Sequence, residues 1–243
     1  MYSKHSPQNR FQDSQIQPHL ARVLLDRESL FGCELNLEVQ NGNMKLKNTM
    51  MNVPFGYRAS KHKDICDPEH YKDDISSVLI PHGLIINRIE KIAQDIAKDY
   101  QGPITACCVL KGASVFYADL MNALRKVKTP DQGSVQFSYE FMKVKSYHNT
   151  ESTGEVKISL TEDELKSYKG KHLLIVEDIV DTGVTCLHAP QENREKQRIV
   201  PDYFGFSVPD YFVIGYGLDY NEYFREMEHI CIISESGIEK YKS

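Results

Sequence analysis

The chain has 243 residues, of which 41% are hydrophobic and 26% are charged, and its formal net charge at pH 7 is −5. This composition is typical of a soluble globular protein. The net negative charge argues against a general nucleic-acid-binding protein. No apolar run approaches the roughly 20 residues that a helix needs to span a bilayer. We therefore expect neither a nucleic acid nor a membrane as a partner.

The six cysteines lie at positions 33, 66, 107, 108, 186 and 231. They contain no Cys-x-x-Cys pair and no Cys/His spacing suited to zinc, which favours reduced thiols in a reducing compartment. The N-terminus also lacks the apolar run of a secretory signal, so we expect a cytoplasmic protein. Cys107 and Cys108 are adjacent in an apolar run, where a strand would place them on opposite faces.

The first 54 residues differ in texture from the rest of the chain. Gln, Asn and Ser are frequent there, and no helical stripe of apolar residues persists beyond about two turns. The sequence predicts an N-terminal extension over 1–54 that is disordered apart from one short helix near 19–31. A single domain is predicted over 55–243.

Helical and strand-like patterns alternate from position 78 onward. The apolar residues between Leu84 and Tyr100 follow helical spacing, and a Gly-Pro pair at 102–103 ends this helix. A second helix is predicted over 113–127. Short strands separated by helices predict an α/β fold with a mostly parallel sheet flanked by helices. The predicted strands lie at 105–110, 135–141, 172–176, 212–216 and 230–233.

Ligands of such sheets collect beyond the carboxyl ends of the strands, so we expect the chemistry after Leu110, Val176 and Tyr216. The polar stretch 146–170 carries few apolar anchors, which predicts a mobile loop. No G-x-x-x-x-G-K-[ST] loop and no G-x-G-x-x-G loop occurs in the chain. The usual nucleotide-binding loops are therefore excluded.

The most informative segment follows the predicted strand at 172–176. Glu177, Asp178 and Asp181 lie within five residues, and a Thr-Gly-x-Thr turn over 182–185 comes next. Carboxylates this close repel one another unless a metal ion, a cationic transition state or ribose hydroxyls lie beside them. The turn offers backbone N–H groups and two hydroxyls, which suit a phosphate monoester. The segment predicts a site for a phosphorylated sugar, with a solvated strand end as the alternative.

The segment 176–185 resembles the 5-phosphoribosyl-1-pyrophosphate (PRPP) loop of type I phosphoribosyltransferases. Further motifs are similar to the hypoxanthine-guanine phosphoribosyltransferase family and occur in the family's order. They lie at 80–84, 109–112, 144–147, 152–154 and 215–225. The resemblance covers about 55–243 and implies the type I phosphoribosyltransferase fold.

The resemblance also implies a reaction. Hypoxanthine or guanine would displace pyrophosphate from PRPP and give IMP or GMP. Positive charge develops at the ribose carbon of such a transition state, so carboxylates nearby are useful. The family implies Mg²⁺ as the cofactor, whose hard oxygen ligands the segment offers, and a homo-oligomer, either a dimer or a tetramer.

Roles are carried over by resemblance. Asp181 would hydrogen-bond the purine N7 and act as the catalytic general acid/base. The implied metal ligands are Glu177, Asp178 and Asp219, and the implied flexible loop carries Ser146 and Tyr147. The pair Lys111-Gly112 is implied to carry a cis peptide. The implied purine contacts are Phe212, Val213 and Asp219, and the implied PRPP contacts are Lys111, Gly112, Glu177, Asp178, Asp181, Thr182, Gly183, Val184, Thr185 and Arg225.

The chain departs from the family after its PRPP loop. Only 15 residues, 186–200, separate Thr185 from Pro201, and 191–198 is wholly polar. A parallel crossover needs about a dozen residues in addition to the strand itself, so a core strand present in the family is predicted to be missing. That strand carries the family's Lys donor to the purine 6-oxo group, for which Lys196 or Arg198 would have to substitute.

Two functions therefore stay open on the sequence. The first is an active purine salvage enzyme, supported by the acids and Arg225. The second is a catalytically impaired, nucleotide-binding relative or a truncated splice product, supported by the shortened segment 186–200.

Overall fold

The computed structural model describes residues 25–27, 51–52, 68–131, 133–146, 156–159, 161–168, 171–180 and 201–242. None of the helices in these ranges is long and apolar enough to cross a membrane. The strands are β1 (Leu25–Arg27), β2 (Met51–Asn52), β3 (Ile75–Ile80), β4 (Ile104–Leu110), β5 (Phe137–Ser146), β6 (Val156–Ile158), β7 (His172–Val176), β8 (Ile179–Val180), β9 (Phe206–Val208), β10 (Val213–Ile214) and β11 (Ile230–Ile233). The helices are α1 (His82–Asp99), α2 (Ser114–Leu124), α3 (Glu162–Ser167) and α4 (Glu235–Lys240), with a 3-10 turn at Glu69–Tyr71.

Two groups of parallel strands form the centre of the molecule. In the first, β4 lies between β5 and β7 and is parallel to both, and β6 adds an antiparallel edge. In the second, the order is β2-β9-β1-β8, and every pair is parallel. Only two residues separate β7 from β8 along the chain. The predicted mostly parallel α/β architecture is confirmed.

A smaller antiparallel sheet has the order β10-β11-β3. The sequence predicts strands at 212–216 and 230–233 but places them in the parallel sheet. Their antiparallel pairing was missed because a short apolar run does not reveal which neighbour it joins. The predicted helix over 113–127 is shorter in the structure, where α2 ends at Leu124.

Strand β4 is the centre of the core, since its first six residues are all buried. Cys108 packs in the main core with Phe116, whereas Cys107 packs in a smaller cluster with Met142. Their predicted placement on opposite faces is confirmed. Burial raises the pKa of both thiols to about 12, so both stay protonated and unreactive at neutral pH.

Helix α1 begins after Pro81 and covers one face of the parallel strands, packed against α2. Its apolar stripe recurs at helical spacing, as predicted. Arg88 of α1 is buried and donates hydrogen bonds of 2.6–3.1 Å to the carbonyls of Phe204 and Gly205. Tyr203 Oη donates to Asp99 Oδ2 at 2.7 Å. These contacts fix the chain just before β9 onto α1.

Strands β1 and β2 both lie within the range 1–54, for which the sequence predicts a disordered extension. The predicted helix near 19–31 is wrong at 25–27, where β1 is paired with a strand on each side. Long-range pairing has overridden a weak local preference there. The place beside β8, where the shortened segment predicts a missing strand, is taken by β1. The segment 186–200 itself lies outside the described residues.

Candidate active site

The parallel pairing of β4 and β7 brings two predicted site segments together. Cys108 of β4 is in register with Val176 of β7, so Lys111-Gly112 and Glu177-Asp178 leave the sheet side by side. A Cβ atom placed on Gly112 would lie 1.7 Å from Asp178 Oδ2. Only glycine allows the Asp178 carboxylate to lie this close to the backbone of the neighbouring loop.

The turn after β4 contains a cis peptide bond, and it joins Leu110 to Lys111. The bond predicted between Lys111 and Gly112 is therefore one residue too late. Lys111 lies on the surface above this turn, where its Nζ donates to Glu222 Oε2 at 2.7 Å. The loop over 215–225 thus contacts the loop after β4.

Glycine also allows the loop over 215–225 to approach the loop after β4. Gly217 has a φ of +95°, and a Cβ atom there would lie 2.1 Å from the carbonyl oxygen of Gly112. The loop then folds through two tight turns, with bridges from Gly215 to Leu218 and from Tyr220 to Tyr223. These turns bring the end of the 215–225 loop back to Gly217.

Arg225 organises this loop from its inner side. One Nη donates to the Gly217 carbonyl at 2.8 Å, and the other lies 2.7 Å from Asp219 Oδ1 and 3.2 Å from Glu222 Oε1. Lys111 and Arg225 therefore share Glu222 between them. The structure thus brings Lys111 and Arg225 together with the carboxylates of Asp219 and Glu222 beside Asp178, at the carboxyl ends of β4 and β7.

Asp178 lies half-buried beside this cluster. Burial raises its pKa, and Asp219 adds to the rise, whereas the Ile179 N–H and Arg225 oppose it. The Ile179 N–H donates to Asp178 Oδ1 at 3.0 Å. The neighbouring Glu177 is buried, with 6% of its surface exposed. Carboxylates in such an environment are stabilised by an additional cation or by hydroxyl donors.

Glu222 is a member of the cluster that the sequence reasoning missed. Hydrogen bonds from Lys111 and then from Arg225 hold its pKa below its ordinary value, so it is ionised at neutral pH. Its spacing of three residues from Arg225 is a signal that was available, but the contact with Lys111 spans 111 residues of sequence and has no local signature.

The predicted purine contacts follow β9. Val213 is buried in β10, whereas the Phe212 ring is 45% exposed and meets the Tyr220 ring edge-on at 5.3 Å between centroids. An apolar ring with a free face is suited to stacking on a planar base. Phe212 is therefore not a simple core residue.

Several predicted site residues lie outside the described residues. They are Asp181, Thr182, Gly183, Val184, Thr185 and Tyr147, and only the backbone of Ser146 is described, at the end of β5. Their predicted roles stay predictions.

The described residues contain no group of three His, Cys, Asp or Glu side chains that could hold a metal ion by themselves. Asp178 and Asp219 nevertheless supply the hard oxygen donors that suit Mg²⁺. This ion is commonly bound by one or two carboxylates together with phosphate oxygens of the substrate. The carboxylates present fit that mode of binding.

Residues 78–189 match the family model of the phosphoribosyl transferase domain. Fold and site together place the chain in the class of phosphoribosyltransferases. The hypoxanthine-guanine phosphoribosyltransferase of Canis lupus familiaris is 43% identical over 197 residues, which cover 73% of this chain and 90% of that protein. The Homo sapiens protein of the same name is 42% identical over the same shares.

Two solved structures are also similar. The hypoxanthine-guanine phosphoribosyltransferase of Schistosoma mansoni in complex with IMP aligns with a TM-score of 0.60 at 29% identity, covering 80% of this chain and all of that one (100%). The hypoxanthine phosphoribosyl transferase of Trypanosoma cruzi aligns with a TM-score of 0.56 at 31% identity, covering 69% of this chain and 96% of that one. The chain belongs to the hypoxanthine-guanine phosphoribosyltransferase family, and the predicted type I phosphoribosyltransferase fold is confirmed.

Proposed function

We propose that the chain transfers the 5-phosphoribosyl group of PRPP to hypoxanthine or guanine, forming IMP or GMP and releasing pyrophosphate. The observation that carries this proposal is the cluster at the ends of β4 and β7. There the Asp178 carboxylate lies against Gly112, and Lys111 and Arg225 both contact Glu222. Family membership favours this enzyme over the alternative of an impaired nucleotide-binding relative.

Lys111 and Arg225 are the groups we assign to pyrophosphate. Both cations contact Glu222, and Arg225 also contacts Asp219; an incoming pyrophosphate would replace Glu222 with several anionic oxygens. The planar guanidinium suits two-point contact with phosphoryl oxygens. The backbone of Gly112 would face the same group. These contacts would stabilise the charge that grows on the leaving pyrophosphate.

Glu177 and Asp178 are assigned to the ribose hydroxyls. Both lie where the parallel strands end, and burial disfavours the charge of Asp178, whose pKa it raises. Positive charge developing at the ribose carbon would relieve that cost in the transition state. The carboxylates thus favour the transition state over the ground state.

Mg²⁺ would be held by Glu177, Asp178 and Asp219 together with substrate oxygens. When bound it would neutralise the charge of PRPP. The remaining assignments rest on the resemblance. Asp181 would exchange the proton at purine N7, and residues 182–185 would hold the 5-phosphate through backbone N–H groups and hydroxyls.

The purine would lie against Phe212, with Val213 and Asp219 at its edge. The exposed face of the Phe212 ring supports this assignment. Ser146 and Tyr147 would cover the site during the reaction and exclude water, which protects a reactive ribosyl cation from hydrolysis.

We also propose that the protein acts as a homo-oligomer in the cytoplasm. Tyr139 and Phe141 of β5 are 46% and 50% exposed and lie next to each other on one side of the strand. Large exposed aromatic side chains of this kind are typical of contact surfaces between proteins. The molar mass in solution, measured by light scattering, tests this part of the proposal.

The activity itself is tested with purified full-length protein, PRPP, Mg²⁺ and one of hypoxanthine, guanine or adenine. We expect nucleotide from the two oxopurines, and an Asp181→Asn variant that retains GMP binding but loses at least about 100-fold in turnover. Asp163→Asn is the matched control, because Asp163 is on the surface in an ion pair with Lys166. Measurable GMP binding without product from any base would favour the impaired relative instead.

A further inference from the structure

We propose that β1, from the N-terminal part of the chain, is an indispensable central strand of the enzyme. It would replace the strand that the shortened segment 186–200 cannot provide. We further infer that β1 sets the distance between the phosphate-binding and purine-binding sides of the site. This part of the inference rests on the function proposed above.

The pairing of β1 is that of a central strand. On one side Leu25 and Asp26 are in parallel register with Ile179 and Val180 of β8. On the other side the three residues of β1 are in parallel register with Phe206, Ser207 and Val208 of β9. A strand with a partner on each side uses all of its backbone N–H and C=O groups in the sheet.

The neighbours of β1 need this partner. All three residues of β9 are buried, and Ser207 is only 4% exposed. Strand β2 covers one edge of β9, and β1 covers the other. Without β1, backbone groups of β8 and buried backbone groups of β9 would lose their partners, and each buried group left unpaired is costly.

The sequence gives an independent reason. The 15 residues 186–200 are too few for a parallel crossover plus a strand. The segment that joins β8 to β9 therefore cannot also form a strand between these two strands. Residues from elsewhere in the chain have to fill it.

The position of β1 has a consequence for the site. Strand β8 ends at Val180, directly before Asp181 and the predicted phosphate turn, and β9 ends at Val208, four residues before Phe212. One strand between them separates the two by two strand spacings, about 10 Å. Loss of β1 would let β8 and β9 close to one spacing or move apart. Displacements of about 1 Å already cost roughly 100-fold in rate when they misalign reacting groups.

Strand β9 has an anchor that does not depend on β1. Arg88 binds the carbonyls of Phe204 and Gly205, and Tyr203 binds Asp99. These contacts hold the chain before β9 against α1. Loss of β1 should therefore loosen the sheet at 206–208 while leaving α1 intact.

The test is an Asp26→Pro substitution in the full-length protein. Proline lacks the N–H that a central strand uses and is poorly tolerated there. Asp26→Asn controls for the loss of charge, and Asp13→Pro controls for a proline elsewhere in the N-terminal part. A deletion of residues 1–30 is compared with a deletion of residues 1–18, which leaves β1 in place.

The readouts are the melting temperature and backbone hydrogen exchange, neither of which depends on catalysis. We expect Asp26→Pro and the deletion of 1–30 to lower Tm by about 5 °C or more. They should also increase exchange at 206–208 at least tenfold, with little change in α1, while the control variants match the parent. If Asp26→Pro yields no folded protein although all controls fold, the requirement for β1 is supported as well.

Equal Tm and equal exchange at 206–208 in Asp26→Pro and Asp13→Pro would overturn the inference. If the parent protein is active, turnover should fall at least tenfold in Asp26→Pro and in the deletion of residues 1–30. If the parent protein is inactive with every base, the proposed function fails, and Tm and exchange still decide the role of β1.

Discussion

The two halves of the parallel sheet are built in different ways. The half around β4, β5 and β7 comes from one continuous stretch of chain, and its core strand is buried along six successive residues. The half around β8 and β9 depends on strands β1 and β2, which are distant in sequence. The proposed pyrophosphate side is thus built on one continuous stretch to which the loop over 215–225 adds Arg225, whereas the proposed spacing between the phosphate and purine sides would depend on β1. We therefore expect substitutions in the half around β4, β5 and β7 to impair catalysis, and substitutions in the half around β8 and β9 to impair folding.

The largest effect on the first half is expected from Gly112→Ala. The new methyl would lie 1.7 Å from Asp178 Oδ2, so either the Asp178 carboxylate or the turn after β4 must move. We expect kcat/KM for PRPP to fall by roughly 100-fold or more. Gly83→Ala is the control, since a Cβ atom at Gly83 meets nothing within 4 Å. Similar kinetics for Gly112→Ala and Gly83→Ala would show that the close approach of Asp178 to residue 112 does not matter for the reaction.

Gly217→Ala separates contact from backbone strain. Gly217 and Gly102 both have positive φ values, +95° and +100°, but a Cβ atom at Gly217 would lie 2.1 Å from the Gly112 carbonyl oxygen, whereas one at Gly102 meets nothing within 4 Å. Strain alone costs about 1–2 kcal/mol at each position. We expect Gly217→Ala to be more destabilising than Gly102→Ala in urea denaturation and to impair catalysis in addition. Equal losses of stability with normal turnover would contradict the packing of the two loops.

Asp178→Asn should stabilise the free protein while abolishing its activity. Burial raises the pKa of Asp178 in the folded state, so its contribution to stability is full below the unfolded pKa and is lost as pH rises through the folded pKa. At pH 7.5, in the presence of EDTA, the amide should therefore raise Tm. The gain should shrink toward pH 4. A lower Tm at pH 7.5 would show that the carboxylate is stabilised by its surroundings.

Glu222→Gln should have the smallest effect. Its ion pair with Lys111 is exposed on both sides, and such pairs contribute little to stability. Tm should therefore stay unchanged, whereas KM for PRPP should fall about two- to fivefold, because Lys111 would lose its carboxylate partner and Arg225 would keep only Asp219. Glu69→Gln, which loses a comparable surface pair with Lys72, should leave KM unchanged. A raised KM would indicate that Glu222 positions the cations for the substrate.

The sequence was sufficient for the elements that carry their own pattern. Helix α1 follows from its apolar stripe, and β4 and β7 follow from short, fully apolar runs. The proximity of Gly112 and Asp178 follows from the rule that ligand-binding loops meet beyond the carboxyl ends of parallel strands. The acids at 177–178 were found because like charges so close together need a counter-charge.

The remaining features depend on long-range contacts. Nothing in the local sequence around Leu25 indicates a strand, since β1 is defined by two partners more than 150 positions away. The antiparallel sheet of β10, β11 and β3 and the contact of Glu222 with Lys111 have the same origin. The shortened segment 186–200 predicts a missing strand beside β8, and the structure places β1 there, but the local sequence did not indicate which segment would occupy that position.

The most direct test of the proposed reaction is the release of pyrophosphate from PRPP by the full-length protein, followed with and without hypoxanthine. The proposed site would hold the leaving group and the base on opposite sides of the ribose, so release should depend on the base and should equal IMP formed. Release that is equally fast without hypoxanthine, or no release with any oxopurine, would contradict it.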